Sequence, residues 1–493
     1  MKEDIELKQN LSEDLATNVV NVRAMLGDTS DLTVKRAVVA GCDICVITCE
    51  GMVNTHAIAD LIYNPLNALS HTNLKPAELM QKLGAELLVA VDQNQIKTYG
   101  ELSQAFMSGF AVILADGADY GIAIAVQGFN TRSVEKPLIH SNIRASNESF
   151  TENLRTNISL VRRRVKSPKF VVKHMTLGEV SQTTVSLCFL SDKADCRMVE
   201  QVEELLKKMP IEMILESGYI EPFLQEEGNS VFNQIGCTDR PDNFAAKLNA
   251  GRVGVIVDGT PYAMYLPLLF NEHFQTMDDY SGMTVFTAFI RILKYMAFFL
   301  TLFLPGFFVA VSNFNPELFP PTILFNIISA EQKTPFSILN ECIIVVLIYE
   351  IMREAGLRLP SVVGHAVSII GGLVLGDIVV SVGLISAPIV LIVALSAITS
   401  FVVPDLYPTI AVLRFAFILA GGFFGLFGLT VLGVMVLFKV CSMSAYGVPY
   451  MAPLTPFTLS GMRDYFIRQD WRKLSTGSVA LNAMTGVKTV SGK

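Results

Sequence analysis

Five long apolar runs crowd the last two-fifths of this sequence, at residues 292–311, 338–351, 362–380, 384–403 and 410–441. About 20 apolar residues in a helix match the thickness of a bilayer's hydrocarbon core, so runs of this length predict membrane helices. The first three-fifths of the chain carries charges throughout and has no such run. Whole-chain composition fits that division: 51% hydrophobic residues is high for a soluble enzyme, and 17% charged residues is too many for a protein embedded along its full length. The expected fold class is an α/β soluble N-terminal region of two related subdomains, followed by an all-α transmembrane helical bundle. The expected boundaries are 1–145 for the first subdomain, 146–280 for the second with a leading linker helix, 281–445 for about five spans (four to six), and 446–493 for a polar tail.

The opening MKEDIELKQNLSED has neither a basic stretch nor an apolar core. The expectation is therefore no cleaved signal and a cytoplasmic soluble region. A net charge of −7 argues against a nucleic-acid partner. The eight cysteines are scattered, which in a cytoplasmic domain predicts reduced thiols. Cys42, Cys45 and Cys49 invite a metal reading, yet they lack a fourth ligand, and strand alternation turns Cys42 away from the other two. The glycines of GRVGVIVDG (251–259) lack the order and the lysine of a phosphate-binding loop. No catalytic constellation, cofactor or metal is expected, and the chain is not expected to be an enzyme.

The soluble region reads as a tandem repeat. LSQAFMSGFAVILADG (102–117) lies against FAAKLNAGRVGVIVDG (244–259), with Gly109 on Gly251, Asp116 on Asp258 and Gly117 on Gly259. Each copy predicts a short helix, a glycine tolerant of left-handed geometry, a buried strand and an Asp-Gly turn. ICVITC (44–49) lies against SLCFLS (186–191) at nearly the same offset. Between the copies, 149–165 predicts a helix with Phe150, Leu154, Ile158, Val161 and Val165 on one stripe. Its end carries Arg162, Arg163 and Arg164, which either complement the helix dipole or contact lipid headgroups or a neighbouring subunit.

In the membrane region, Gly364, Ser368, Gly372 and Gly376 recur at four-residue intervals in the third run, and Ala416, Ala420, Gly421, Gly425 and Gly428 line the fifth. Small residues at such spacing let helices approach closely, for packing or for gating. Lys294, Glu341, Glu350, Asp377 and Arg414 are ionisable and expensive in hydrocarbon. Lys294 and Glu350 lie near enough to span ends to snorkel, leaving Glu341 and Asp377 as candidate pore or gating carboxylates. Orientation signals conflict. Arg353 and Arg358 place one loop inside, while Arg463, Arg468, Arg472 and Lys473 place the tail inside, which an odd span count forbids. Run 338–351 is short enough to be re-entrant, and 410–441 long enough to be two closely turned helices.

The segments SVEKP (133–137), SFTENLRTNISLVRRRVKSP (149–168), ESGYIEPF (216–223), TDRPDNFAAKLNAGRVGVIVDGTP (238–261), REAGLRLPSVVG (353–364) and SMSAYGVPYMAPLTP (442–456) occur in an order and spacing that resemble the A subunit of GerA-type spore germinant receptors. The SpoVAF-like proteins of spore-forming Firmicutes belong to the same family. The resemblance implies a multi-pass protein of the spore inner membrane, working with a transporter-like B subunit and a lipoprotein C subunit, forming a homo-oligomer among membrane lipids and conducting ions when nutrients trigger germination. Two alternatives are a SpoVAF-like accessory role and, in a different class, a secondary transporter, which would carry inverted repeats among its spans.

Overall fold

The computed structural model describes residues 7–69, 74–87, 92–128, 146, 148–228, 230–359, 374–459, 461–470, 472 and 481. Gly364, Gly372, the segment 133–137 and most of the third apolar run lie outside the described residues.

The soluble region uses one folding unit twice. The first copy runs α1 (Leu15–Met25), β1 (Leu32–Val39), β2 (Cys42–Cys49), short helical pieces over 55–87, β3 (Gln93–Ile96), α2 (Tyr99–Met107), β4 (Phe110–Ala115) and β5 (Gly121–Ala125). The second runs α3 (Leu154–Arg164), β6 (Phe170–Leu177), β7 (Thr183–Leu190), α4 (Cys196–Lys207), β8 (Gly236–Thr238), α5 (Pro241–Asn249), β9 (Val253–Val257) and β10 (Ala263–Leu266). The sheets have the same non-sequential order, β1-β2-β4-β5-β3 and β6-β7-β9-β10-β8, with every neighbour antiparallel.

Small contacts repeat as closely as the topology. Asp116 Oδ1 accepts from the Leu15 amide at 3.0 Å, and Asp258 Oδ1 accepts from the Leu154 amide at 3.0 Å. Asn18 bonds to both backbone groups of Ser12, as Asn157 does to Thr151. Gly109, Gly117, Gly251 and Gly259 all have positive φ, between 77° and 93°, which glycine adopts without steric cost. These pairs correct one expectation. The helix predicted over 149–165 spans Leu154–Arg164 and is not a linker between copies but the first helix of the second copy, the counterpart of α1; Phe150, Leu154, Ile158 and Val161 of the predicted stripe are buried and Val165 is half-buried.

Each sheet is covered on both faces because its strands alternate. In the first copy, Ile44, Val46 and Ile113 pack against the helical pieces of 55–83, while Cys45, Ile47, Cys49 and Val112 pack against α1 and α2. Cys42 falls on the face opposite Cys45 and Cys49, as the alternation predicts. Burial pushes the Cys45 thiol up to about 11 and that of Cys49 well above the ordinary range, so both pack as small apolar residues.

The two copies meet around Arg162, which corrects its reading as a lipid or subunit contact. Its guanidinium is fully buried and grips both carboxylate oxygens of Asp31 in the first copy, at 2.8 Å each, while donating to the Phe170 carbonyl in the second. Burial alone would raise the Asp31 pKa, but Arg162 and Thr29 together hold it below its usual value. The backbone joins in, with the Ser30 amide donating to the Val172 carbonyl. Arg163 and Arg164 pair instead with Glu148 at the edge of the second copy.

The C-terminal region is helical: α6 (Thr284–Phe314), α7 (Pro321–Glu331), α8 (Ile338–Arg358), α9 (Ala387–Ser400) and α10 (Tyr407–Ser442). Among the described residues, two helices, Thr284–Phe314 and Pro404–Ser442, are long and apolar enough to cross a membrane. The run 338–351 is part of the continuous helix α8, not a re-entrant piece. Helix α10 is broken at Gly425, whose φ of 62° and ψ of −150° lie outside helical space. The chain reverses there. Thr409 donates to the Val231 carbonyl and Lys439 pairs with Glu227, so two residues that a straight helix would hold roughly 45 Å apart reach the same short segment. The arms 407–424 and 426–442 therefore form a hairpin whose feet rest on the soluble region.

Candidate functional site

Three groups of polar side chains sit where an apolar bundle would exclude them, and each ties elements together. The first is centred on Glu350 of α8. Arg414, fully buried on the first hairpin arm, pairs with one of its oxygens. The other oxygen accepts from Tyr407 at 2.5 Å and lies 3.4 Å from Arg353, whose guanidinium stacks on the Tyr407 ring at 3.6 Å. Arg414 also donates to Ser396 of α9, and Ser396 donates to the Thr301 carbonyl of α6. One acid thus links α8 to the hairpin, and through Arg414 to α9 and α6. The sequence reading of Glu350 as a snorkelling residue missed this partnership.

The second group is Glu341, near the start of α8 and fully buried. Its Oε2 accepts from the Ser386 amide at 2.9 Å and the Ser386 hydroxyl at 2.6 Å, so the carboxylate caps the N-terminus of α9. Its Oε1 has no hydrogen-bond partner among the described residues. A buried carboxyl oxygen with an open valence is a place for a proton, a water or a cation to bind. Asp377, the other candidate, lies exposed in the single π-helical turn Val374–Ile378. The structure does not bring the two together.

The predicted small-residue positions divide. Gly421 and Gly306 face each other so closely that a Cβ on either would strike the partner helix's backbone. Gly425 makes the hairpin turn against the Phe314 ring. Gly376 has nothing among the described residues within reach of a Cβ. Gly364 and Gly372 lie outside the described residues.

The third group is the junction between the soluble region and the bundle. Arg291, fully buried in the first turns of α6, contacts Asp279 at 3.1 Å and Asp464 at 2.8 Å, and donates to the backbone carbonyls of Asp464 and Tyr465. Lys294 does not snorkel; it reaches the Phe274 carbonyl, Thr276 and Asp279. Tyr280 donates to Asp464 at 2.7 Å, and Arg468 donates to the Asp279 carbonyl at 2.6 Å. Beside them, Glu272 binds Lys247 and Arg252; burial would raise its pKa, but these cations hold it down to about 2. Arg291 lies just ahead of the first apolar run, so a search confined to the runs passed it over. Asp278 and Asp279 upstream, with Asp464 in the tail, were the available signal.

Comparison with known proteins gives this architecture its context. A family model described as "Bacillus/Clostridium GerA spore germination protein" matches residues 20–478. Spore germination protein KA of Bacillus subtilis (strain 168) is 35% identical over 467 residues, covering 94% of this chain and 85% of that protein. Uncharacterized membrane protein YfkQ of the same organism is 34% identical over 475 residues, covering 94% of this chain and 92% of its own length. A crystal structure of the N-terminal domain of the A subunit of the Bacillus megaterium spore germinant receptor GerK3 aligns with a TM-score of 0.43 at 25% identity, covering 53% of this chain and 98% of that one.

Proposed function

Because the chain belongs to the GerA family of Bacillus/Clostridium spore germination proteins, we propose that it is a membrane subunit of a germinant receptor, resident in the spore inner membrane with its soluble region cytoplasmic. A role in spore germination comes with the family. The finer reading is an oligomeric, multi-pass, ion-conducting subunit, not an enzyme, working with B and C subunits of the same receptor.

The observation that carries the conducting role is Glu341, a fully buried carboxylate among apolar helices with one oxygen unpartnered among the described residues. In a ring of subunits, one such group per copy would set a level at which cations collect. The competing account is that Glu341 serves only to cap α9. Glu341→Gln keeps the size and removes the charge. Several-fold slower release of monovalent cations from germinating spores, at unchanged protein level, is the expected outcome; Asp377→Asn tests the exposed candidate in the same assay. Unchanged release with Glu341→Gln would make that residue structural and remove this support for conduction.

A further inference from the structure

The tail that follows the hairpin has two faces. On one, Met451, Leu454, Met462 and Tyr465 pack into the cluster at the base of α6 and the hairpin. Asp464 and Arg468 fasten that face from within, through Arg291, Tyr280 and the carbonyls of Asp279 and Gly282. On the other, Phe457, Leu459, Phe466 and Ile467 stand exposed, by 63%, 79%, 39% and 56%. A short segment spending four large apolar side chains on water, while anchored by two buried charges, needs something to cover it.

We propose that residues 453–459 and 461–470 form an in-plane strap seated on the lipid surface where the first span enters the membrane, with its exposed apolar face in the boundary between headgroups and acyl chains. This rests on the reading of α6 as a membrane span. Level and continuity support it. The Phe466 ring lies 5.0 Å from Tyr295, at the point on α6 from which about 20 residues, the length of one crossing, remain before Phe314. Val285, Phe289, Met296 and Phe299 carry an exposed apolar stripe along α6 through that same level. Aromatic side chains with an exposed arginine, here Arg463, are the composition of segments that lie in the membrane interface.

The test uses the full chain in lipid nanodiscs with brominated acyl chains, which quench nearby tryptophan. Trp471, the single tryptophan, is first replaced by Phe. Phe466→Trp and Phe457→Trp should each lose about half of their emission, as residues some 5–10 Å into the interface would. Phe299→Trp, on the span, should be quenched at least as much, and Val38→Trp, on the first sheet, should not. Quenching at 299 without quenching at 457 and 466 would overturn the strap and leave the span intact. Blue-shifted but unquenched emission at 457 and 466 would also overturn it, assigning the face to a second copy of the chain. Failure at 299 would remove the span reading itself.

Discussion

His273 sits closed off from water at the junction, with Nε2 3.0 Å from the Tyr450 hydroxyl. Burial pushes its pKa down to about 4; Asp405 and Glu272 pull the other way without overcoming it. The ring is neutral in the folded protein but takes a proton near its ordinary value of 6.5 once unfolded. Its contribution is therefore fully present above about pH 6.5 and is lost as pH falls towards 4, by at most about 3 kcal/mol. Thermal unfolding of the detergent-solubilised protein should weaken more between pH 7 and 5 than that of His273→Gln; parallel slopes would rule out the residue as a contributor. At this scale the sequence was a partial guide. Three consecutive arginines at the end of α3 look alike in the sequence, but only Arg162 follows Leu154 and Ile158 at four-residue steps, which places it on the buried stripe. Its partner Asp31 lies 131 positions away, too far for any local pattern to reveal.

Among elements, the hairpin depends on two glycines for different reasons. Gly425 occupies a backbone conformation essentially closed to other residues, so Gly425→Ala should lower stability by about 1–3 kcal/mol. Gly421→Val should do more harm, because its side chain would meet the Gly306 backbone. Gly433→Ala, which adds only an ordinary contact with Phe303, is the matched control. Melting temperatures of the purified variants decide the matter: a Gly425→Ala protein as stable as Gly433→Ala would mean the reversal is not where it is drawn. Strands such as β2, β4, β7 and β9 were legible because buried apolar runs and Asp-Gly turns are local signals, whereas β1, β3, β6 and β8 passed unread. The first helix, α1, passed unread because its buried Leu15, Val19 and Val22 are interspersed with polar residues, including Asn18, which is itself buried. The run 410–441 was read as one span or two, since apolar content reports length and not direction; only the Gly425 dihedrals and the feet at Glu227 and Val231 distinguish them.

Over the whole molecule, the hairpin returns the tail to the side of the soluble region, which removes the conflict between the two sets of basic residues. Single cysteines at Val38 and Asp470 on a cysteine-depleted background should react alike with a membrane-impermeant maleimide, and opposite to one at Leu318, beyond the far end of α6. Asp470→Cys labelling together with Leu318→Cys would place the tail on the other side. One of the basic residues counted for the tail is not free in the aqueous phase, since Arg468 is spent on the carbonyls of Asp279 and Gly282. The same arrangement bears on the order of synthesis. The strands of both copies have been made by β10, yet Arg291, near the start of α6, waits for Asp464, some 170 residues further along the chain. Until then Asp279 is its only acidic partner among the described residues and its contacts with Asp464 and Tyr465 are missing, so the growing chain carries a half-satisfied charge in its foundations through every later helix. The stretch that follows the hairpin is thus the one that fastens the base of α6, and it can do so only after every helix between them has been made.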